Sequence, residues 1–404
     1  MKTRLKRLLF LLLAVVITVG LVACGGGDDK KSAVQEAIAK AEKMTEAELL
    51  EAAKAEIGDG KLSVQSQTSG TAKALKKFKE KYGIDYNEED ANNTKKDYQL
   101  YTALDVVATG QYYTDSVTIQ DVRSLQQYIN EGILFTYAPK DINLDAEDKQ
   151  PLSSIYYNKL FLHNKKDTDF TISNVWQVAG SAEDEGHIDK LSFQNPSTEN
   201  INMNFLLSLT SPRGINLLTE AYKDFYGVDY DGSEDNYANI GYKYIAEFLK
   251  NVKTYHTSDT TTIKEVIPAD NTEQERVIVY GAFAKYKDLI KALNNDAEEA
   301  AEVLAWEMAI KGFKGFLYKM YTVIPATAKY PYTACLFHRY LLTEEGFAAG
   351  WGGQYGYYSA NPEVPIHEGD KPLSYWKETC IIEDGQYLST VKNSLVSFIQ
   401  SNIK

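Results

Sequence analysis

The sequence predicts an α/β fold, and three observations carry that expectation. Short runs rich in β-branched and aromatic residues, such as 154–163 (SIYYNKLFLH) and 277–280 (VIVY), alternate with longer runs of helical apolar spacing. Several of these short runs are followed at once by Ser, Thr, Asn or Asp, the residues that cap a helix start. The composition, 25% charged and 44% apolar over 404 residues, is that of a globular chain, and at roughly 150 residues per domain the length suggests two or three domains.

Taken in order, residues 1–23 open with MKTRLKR and continue as an apolar run from Leu8 to Ala23, the pattern of a secretory leader. The run is shorter than the ~20 residues that comfortably span a bilayer. It ends in Leu21-Val22-Ala23-Cys24, which resembles the bacterial lipobox and implies lipidation at Cys24. Gly25–Lys31 reads as a flexible tether. Residues 32–57, rich in Ala, Glu and Lys, read as helix, closed by Gly58-Asp59-Gly60. Residues 61–67 alternate as a strand. Thr68-Ser69-Gly70 then opens a helix that Gly83 closes. Residues 97–110 read as helix and 116–120 as strand, with Asp121 capping a helix over VRSLQQYINEGIL. A strand over 154–163 and another at 191–193 follow. Asn195-Pro196-Ser197-Thr198-Glu199-Asn200 then opens the helix INMNFLLSLT. After the strand 277–280 comes a Lys-rich helix, and residues 294–314 read as a mainly helical insertion. No internal repeat of solenoid period is present.

Charge and cysteine content remove several function classes. The formal charge is −13, and an acidic chain is a poor partner for nucleic acid, whose phosphates need clustered Lys and Arg. Removing residues 1–23 takes away Lys2, Arg4, Lys6 and Arg7 and no acid, so the charge becomes −17 over the remaining 381 residues. Three cysteines cannot form a disulfide scaffold, and five scattered histidines do not suggest a metal site. Cys335 and Cys380 either pair or stay as buried thiols, and free thiols are the expectation. The composition stands out in its aromatics, with 29 Tyr, 15 Phe and 4 Trp.

Six segments in order resemble the extracellular solute-binding proteins of ABC importers, in particular the ferric, polyamine and phosphonate type. They are KLSVQSQTSGTAKALKKFKEKYGI, SVTIQDVRSLQQYINEGILFTYAPKDI, SSIYYNKLFLHNKK, LSFQNPSTENINMNFLLSLT, GFLYKMYTVIPATAKYPYTACLFHRYLLTEEG and QYGYYSANPEVP, spanning about residues 60–365. The resemblance implies a two-lobed periplasmic-binding-protein (venus-flytrap) fold with a helical N-terminal extension. It places 59–155 with about 316–350 in lobe 1, and 156–315 with about 351–404 in lobe 2. Residues 24–58 form the tether and N-terminal helix. It further implies a monomer without cofactor or enzymatic activity, anchored to the extracytoplasmic face of the membrane through lipid. Such a subunit captures a small polar or anionic solute and delivers it to an ABC permease and its ATPase.

Within that frame the candidate ligand contacts are polar groups at helix starts. Thr68, Ser69 and Gly70 offer hydroxyls and free N–H groups to an oxyanion or sugar, or simply cap a helix. Gln120 and Asp121 end a strand, and Asp121 either meets an amine or serves as an N-cap. Tyr156 and Tyr157 point to opposite faces of one strand, so one of them faces the cleft, and Tyr156 is the candidate. Ser197, Thr198 and Asn200, beside Asn195, mark the second-lobe helix start, and Tyr280 stands at a strand end. Trp351, Tyr355, Tyr357 and Tyr358 form a glycine-flanked patch suited either to stacking on a ligand or to packing between lobes. The adjacent Asn-Tyr-Tyr-Trp setting of the iron-binding relatives is missing, which disfavours ferric ion.

Rival readings are an exported hydrolase or a surface adhesin-like lipoprotein. Ser389-Thr390-Val391-Lys392 matches SxxK, but no KTG follows and the chain has no GxSxG. Asp229–Asp235 resembles a calcium loop without its closing Glu, and reads as a solvated acidic turn.

Overall fold

Two long strands, β4 (Ser153–Asn164) and β9 (Gly315–Pro325), organise the molecule. The structure, a computed structural model, describes residues 25–165, 171–180, 187–188, 190–233, 236–267 and 277–403. The leader, the lipobox and Cys24 lie outside the described residues.

The remaining strands are β1 (Val64–Ser66), β2 (Ser116–Ile119), β3 (Leu134–Phe135), β5 (Lys190–Gln194), β6 (Val252–His256), β7 (Val277–Ala282), β8 (Leu304–Ala305), β10 (Tyr357–Ser359) and β11 (Ile381–Ile382). The main sheet path runs β1-β2-β9-β4-β7-β5-β6. β4 and β9 pair antiparallel from Ser153/Tyr321 to Leu160/Gly315. β2 joins the far end of β9, with Val117 opposite Val323, and β1 pairs parallel with β2. β7 joins the far end of β4, with Leu160 opposite Gly281, and β5 and β6 extend that side in parallel. The two groups of strands form the two lobes, and the central stretch of β4 and β9 belongs to both.

Both long strands are buried along nearly their whole length, polar residues such as Asn158, Lys159 and Lys319 included. Their approach is close at Gly315, where a Cβ would lie 2.0 Å from the Lys159 carbonyl oxygen. Aromatic residues fill the second lobe behind the sheet. Phe205, Phe161, Phe193 and Tyr280 pack ring on ring, with Phe205 and Tyr280 stacked at 4.5 Å.

The N-terminal extension forms two helices, Gly25–Ala41 and Glu46–Ile57, rather than a tether and one helix. The break is a capping box. Thr45 Oγ1 accepts the Glu48 N–H at 3.4 Å, and Glu48 Oε2 accepts the Thr45 N–H at 2.8 Å. The segment expected to be a flexible tether belongs to the first helix, because the Ala-rich helix following it extends back through it. Both helices pack on the first-lobe helix Pro331–Leu341. Arg339 of that helix reaches Glu46 and Asp141, each at 2.6 Å. Glu56 accepts the backbone N–H groups of Tyr332 (3.2 Å) and Thr333 (3.0 Å), two of the unpaired donors at its start. The C-terminal helix Gly385–Asn402 packs on the second-lobe helices Asn200–Ser208 and Ile240–Asn251, and also meets Leu125–Asn130.

Two further expectations change. The helix expected over 122–134 is only Leu125–Asn130, since Gly132 turns to a positive φ of 64° and releases Leu134–Phe135 to pair with β9. The insertion 294–314 is helical only at Ala297–Val303. Leu304–Ala305 leaves the helix to pair with the end of β4. Cys335 and Cys380 are free and buried. Among the described residues no helix is long and apolar enough to cross a membrane.

Candidate functional site

Polar helix starts at strand ends converge where the two lobes meet. β1 ends at Ser66, and the chain turns through Gln67 and Thr68 into the helix Ser69–Tyr82. Thr68 is the N-cap, its hydroxyl accepting the Gly70 N–H at 3.2 Å. Gly70 is required by space, because a Cβ there would lie 2.5 Å from Trp351 Cε2. Beside it β2 ends, and the Gln120 N–H is held by the Gln67 side chain. Asp121 does not cap a helix. Its carboxylate takes a two-pronged contact from Arg123, Nε at 2.9 Å and Nη2 at 2.8 Å.

The second lobe presents the turn 195–198. Asn195 Oδ1 accepts the Ser197 N–H at 2.9 Å, which leaves Ser197 and Thr198 exposed. The N-cap of Asn200–Ser208 is Glu199. It accepts the Ile201 N–H at 3.2 Å and a bond from Gln194 Nε2 at 3.1 Å. Asn200 is half-buried and its side chain faces Asp97 at the start of the first-lobe helix Asp97–Ala108.

The floor is built by the shared strands. Tyr157 of β4 lies opposite Tyr318 of β9, with ring centroids 5.1 Å apart and planes 15° from parallel. Tyr357 of β10 meets Tyr157 edge-on at 5.1 Å. Gln120 and Trp351 sit beside the Tyr157 hydroxyl. Two residues along β4, on the same face, is Lys159, whose side chain is only 1% exposed. Its Nζ lies 2.8 Å from Asn202 Oδ1, 3.0 Å from Asp259 Oδ1 and 3.9 Å from Glu199 Oε1. Burial of this cation demands such partners. Burial, reinforced by Asp259 and Glu199, pushes the Tyr318 hydroxyl well above its ordinary range, so it acts as a neutral hydrogen-bonding group. Asp97 is raised to about 7, first by burial and then by Asp121 beside it.

No protein-family model matches this sequence, and no curated protein matches it. Solved structures do. The ferric binding protein from Campylobacter jejuni superposes with a TM-score of 0.60 at 14% identity, over 85% of this chain and 99% of its own. A putative extracellular solute-binding protein from Bordetella parapertussis gives 0.58 at 12% identity, over 85% and 98%. The PBP MotA from A. tumefaciens B6, in complex with glucopine, gives 0.55 at 13% identity, over 85% and 100%. The chain has the two-lobed periplasmic-binding-protein fold.

The turn carrying Thr68, Ser69 and Gly70 is joined to Gln120 through the Gln67 side chain, and the second-lobe helix reaches this side through Asn204 at Asp121 and Asn200 at Asp97, while Ser197 and Thr198 bond within their own turn. Two named tyrosines fall elsewhere. Tyr156 points to the other face of β4, bonded to Asp148 Oδ1 at 2.7 Å with the Lys319 and Lys377 ammoniums each 5.0 Å from its ring. Tyr157, on the opposite face, carries the ring stack with Tyr318. Tyr280 is fully buried in the second-lobe core.

Sequence reasoning missed Lys159, Asp259, Tyr318 and Asp97. Lys159 did leave a signal, since a lysine inside SIYYNKLFLH is out of place in a buried strand. Asp259 begins the short helix Asp259–Lys264 after N-cap Ser258, the same helix-start pattern used elsewhere.

Proposed function

We propose that this chain is the solute-binding subunit of an ABC importer, a non-enzymatic protein that captures a small polar solute between its lobes and delivers it to a membrane permease driven by a separate ATPase. Anchoring through a lipidated Cys24 on the extracytoplasmic face fits the leader, and a monomer fits a fold whose ligand site lies within one chain. The reading is supported by one observation: β4 and β9 run through both lobes, and first-lobe Asp97 and Asp121 meet second-lobe Asn200 and Asn204 beside them. Lys159 and Arg123 are already held by Asp259 and Asp121. That favours a hydroxylated or amine-bearing group against Tyr318, Glu199 and Asp259. Lys287, bonded to Gln354 and near Lys73, brings two cations close together and offers one place for an acidic end of the solute.

Thermal unfolding against a panel of sugars, sugar phosphates, phosphonates, polyamines, amino acids and ferric ion tests this. A raised melting temperature with one small-molecule class is expected, because ligand bound only to the folded state stabilises it by mass action. No shift with any class, together with turnover of an ester or peptide, would replace the transport reading by a hydrolase.

A further inference from the structure

Asn200 and Asn204 stand one helical turn apart on the second-lobe helix Asn200–Ser208, so both amides project from one face. That face meets acids from elsewhere. Asn200 faces Asp97 of the first lobe. Asn204 Nδ2 lies 3.4 Å from Asp121 Oδ1 of the first lobe and 3.0 Å from Glu383 Oε1, just after β11. Asp97 Oδ1 in turn accepts the Asp121 N–H at 3.2 Å. Glu383 Oε2 accepts the Tyr321 hydroxyl at 3.1 Å and faces the Lys319 N–H at 3.4 Å, both on β9. Three carboxylates therefore gather about one amide-bearing helix face.

The charged groups around them do not balance. Arg123 lies against Asp121 and is the basic side chain within this cluster. Lys319 contributes its backbone, while its ammonium is turned to Asp148 at 2.9 Å. Lys159 is bound to Asp259. Glu199 adds a further negative charge near Asp97, and Tyr101 and Tyr321 are neutral neighbours. Three buried acids against one guanidinium cost energy unless protons are retained. The Asn204 Oδ1 is buried without a partner, so an acceptor stands ready for a protonated carboxyl.

We propose that bringing the two lobes together takes up at least one proton, held on Asp97 or Glu383 against Asn200 and Asn204, so that the closed form gains on the open form as pH falls. Separating the lobes removes Asn204 from Asp121 and Glu383 and Asn200 from Asp97, and opens Asp97 and Glu383 to water, where they ionise. The values reached in the assembled cluster, about 7 for Asp97 and about 8 for Glu383, both raised first by burial, set the working range near neutrality. For one proton the closed-to-open ratio falls up to about tenfold per pH unit above that taken up at low pH.

The proposal rests on the lobes moving as a binding protein's do. Small-angle scattering on the whole ligand-free protein between pH 5.5 and 8.5 reads it directly. A radius of gyration that grows with pH is expected, and the growth should be absent in the double variant Asp97→Asn/Glu383→Gln. Asn204→Leu, which removes the bridge without altering an acid, should open at lower pH than the parent. A pH-independent radius in the parent, or an unchanged profile in both variants, overturns the proton latch. If such a protein still contracts on adding a solute found by thermal shift, the latch alone has failed and the binding function stands.

Discussion

The Lys159 ammonium lies 3.0 Å from Asp259 Oδ1, joining the strand shared by both lobes to a helix start that belongs to one. Lys159 is almost fully buried and Asp259 side-chain exposure is 17%. Removing one partner of such a pair leaves the other charged without compensation. Lys159→Met should therefore destabilise by about 3–5 kcal/mol in denaturant unfolding. The double variant Lys159→Met/Asp259→Asn should recover a substantial part. Equal losses in the single and double variants would show that the pair is not coupled.

Gly70 and Trp351 pin the first-lobe turn to the segment that returns from the second. Gly70→Ala places a methyl inside the indole and should cost about 1–3 kcal/mol while shifting tryptophan emission. Unchanged stability and emission would mean the ring has room to move.

The ligand contacts separate by lobe. Once a solute is identified by thermal shift, Thr198→Ala and Asn200→Ala should each weaken binding by about tenfold, the equivalent of ~1.4 kcal/mol. Tyr318→Phe should weaken it comparably, whereas Tyr156→Phe and Tyr280→Phe should leave affinity unchanged. Titration calorimetry giving the reverse order would move the site away from the Tyr157–Tyr318 floor.

Stability should fall with rising pH near neutrality. Burial lifts Glu383 from 4.5 to about 8. The folded chain therefore holds a proton that the unfolded chain has lost between those values, and stability present at low pH is lost through that window. The slope is up to ~1.4 kcal/mol per pH unit for one group. His338, buried against Ser116 Oγ at 2.7 Å and lowered to about 3, acts in the opposite sense, but only as pH falls below 6.5. Between pH 6.5 and 8 the Glu383→Gln variant should show a flatter melting-temperature profile than the parent. Parallel profiles would place the titration elsewhere.

Arg339 should govern docking of the N-terminal helices. Arg339→Met loses both Glu46 and Asp141, and about 1–3 kcal/mol is expected. Limited proteolysis should then accelerate within residues 42–45, between the two helices. Unchanged cleavage would show that apolar packing suffices.

Part of the order of strands and helices was legible because several strands end in a residue type that starts a helix or its turn, as at Thr68 and Asn195. The break at Thr45 was legible too, in the Thr-x-x-Glu spacing, though high Ala and Glu content across it argues for one continuous helix. The site was legible only along single segments. Thr68, Gln120 and Asn200 announce themselves by local chemistry. Tyr318, Asp259 and Asp97 become partners of Tyr157, Lys159 and Asn200 only through pairing across more than 100 residues in two of those three cases, and no local pattern encodes that. The face of a strand is likewise decided by its neighbours, which is why Tyr156 and Tyr157 could not be told apart.

Among the described residues the N-terminal helices hold to the first lobe, through Glu46 with Arg339 and Glu56 with Thr333. A pull applied ahead of residue 25 therefore runs into that lobe and never crosses the cleft. Held from that end, the first lobe is the moored hull and the second, with most of the C-terminal helix lying on it, is the swinging jaw.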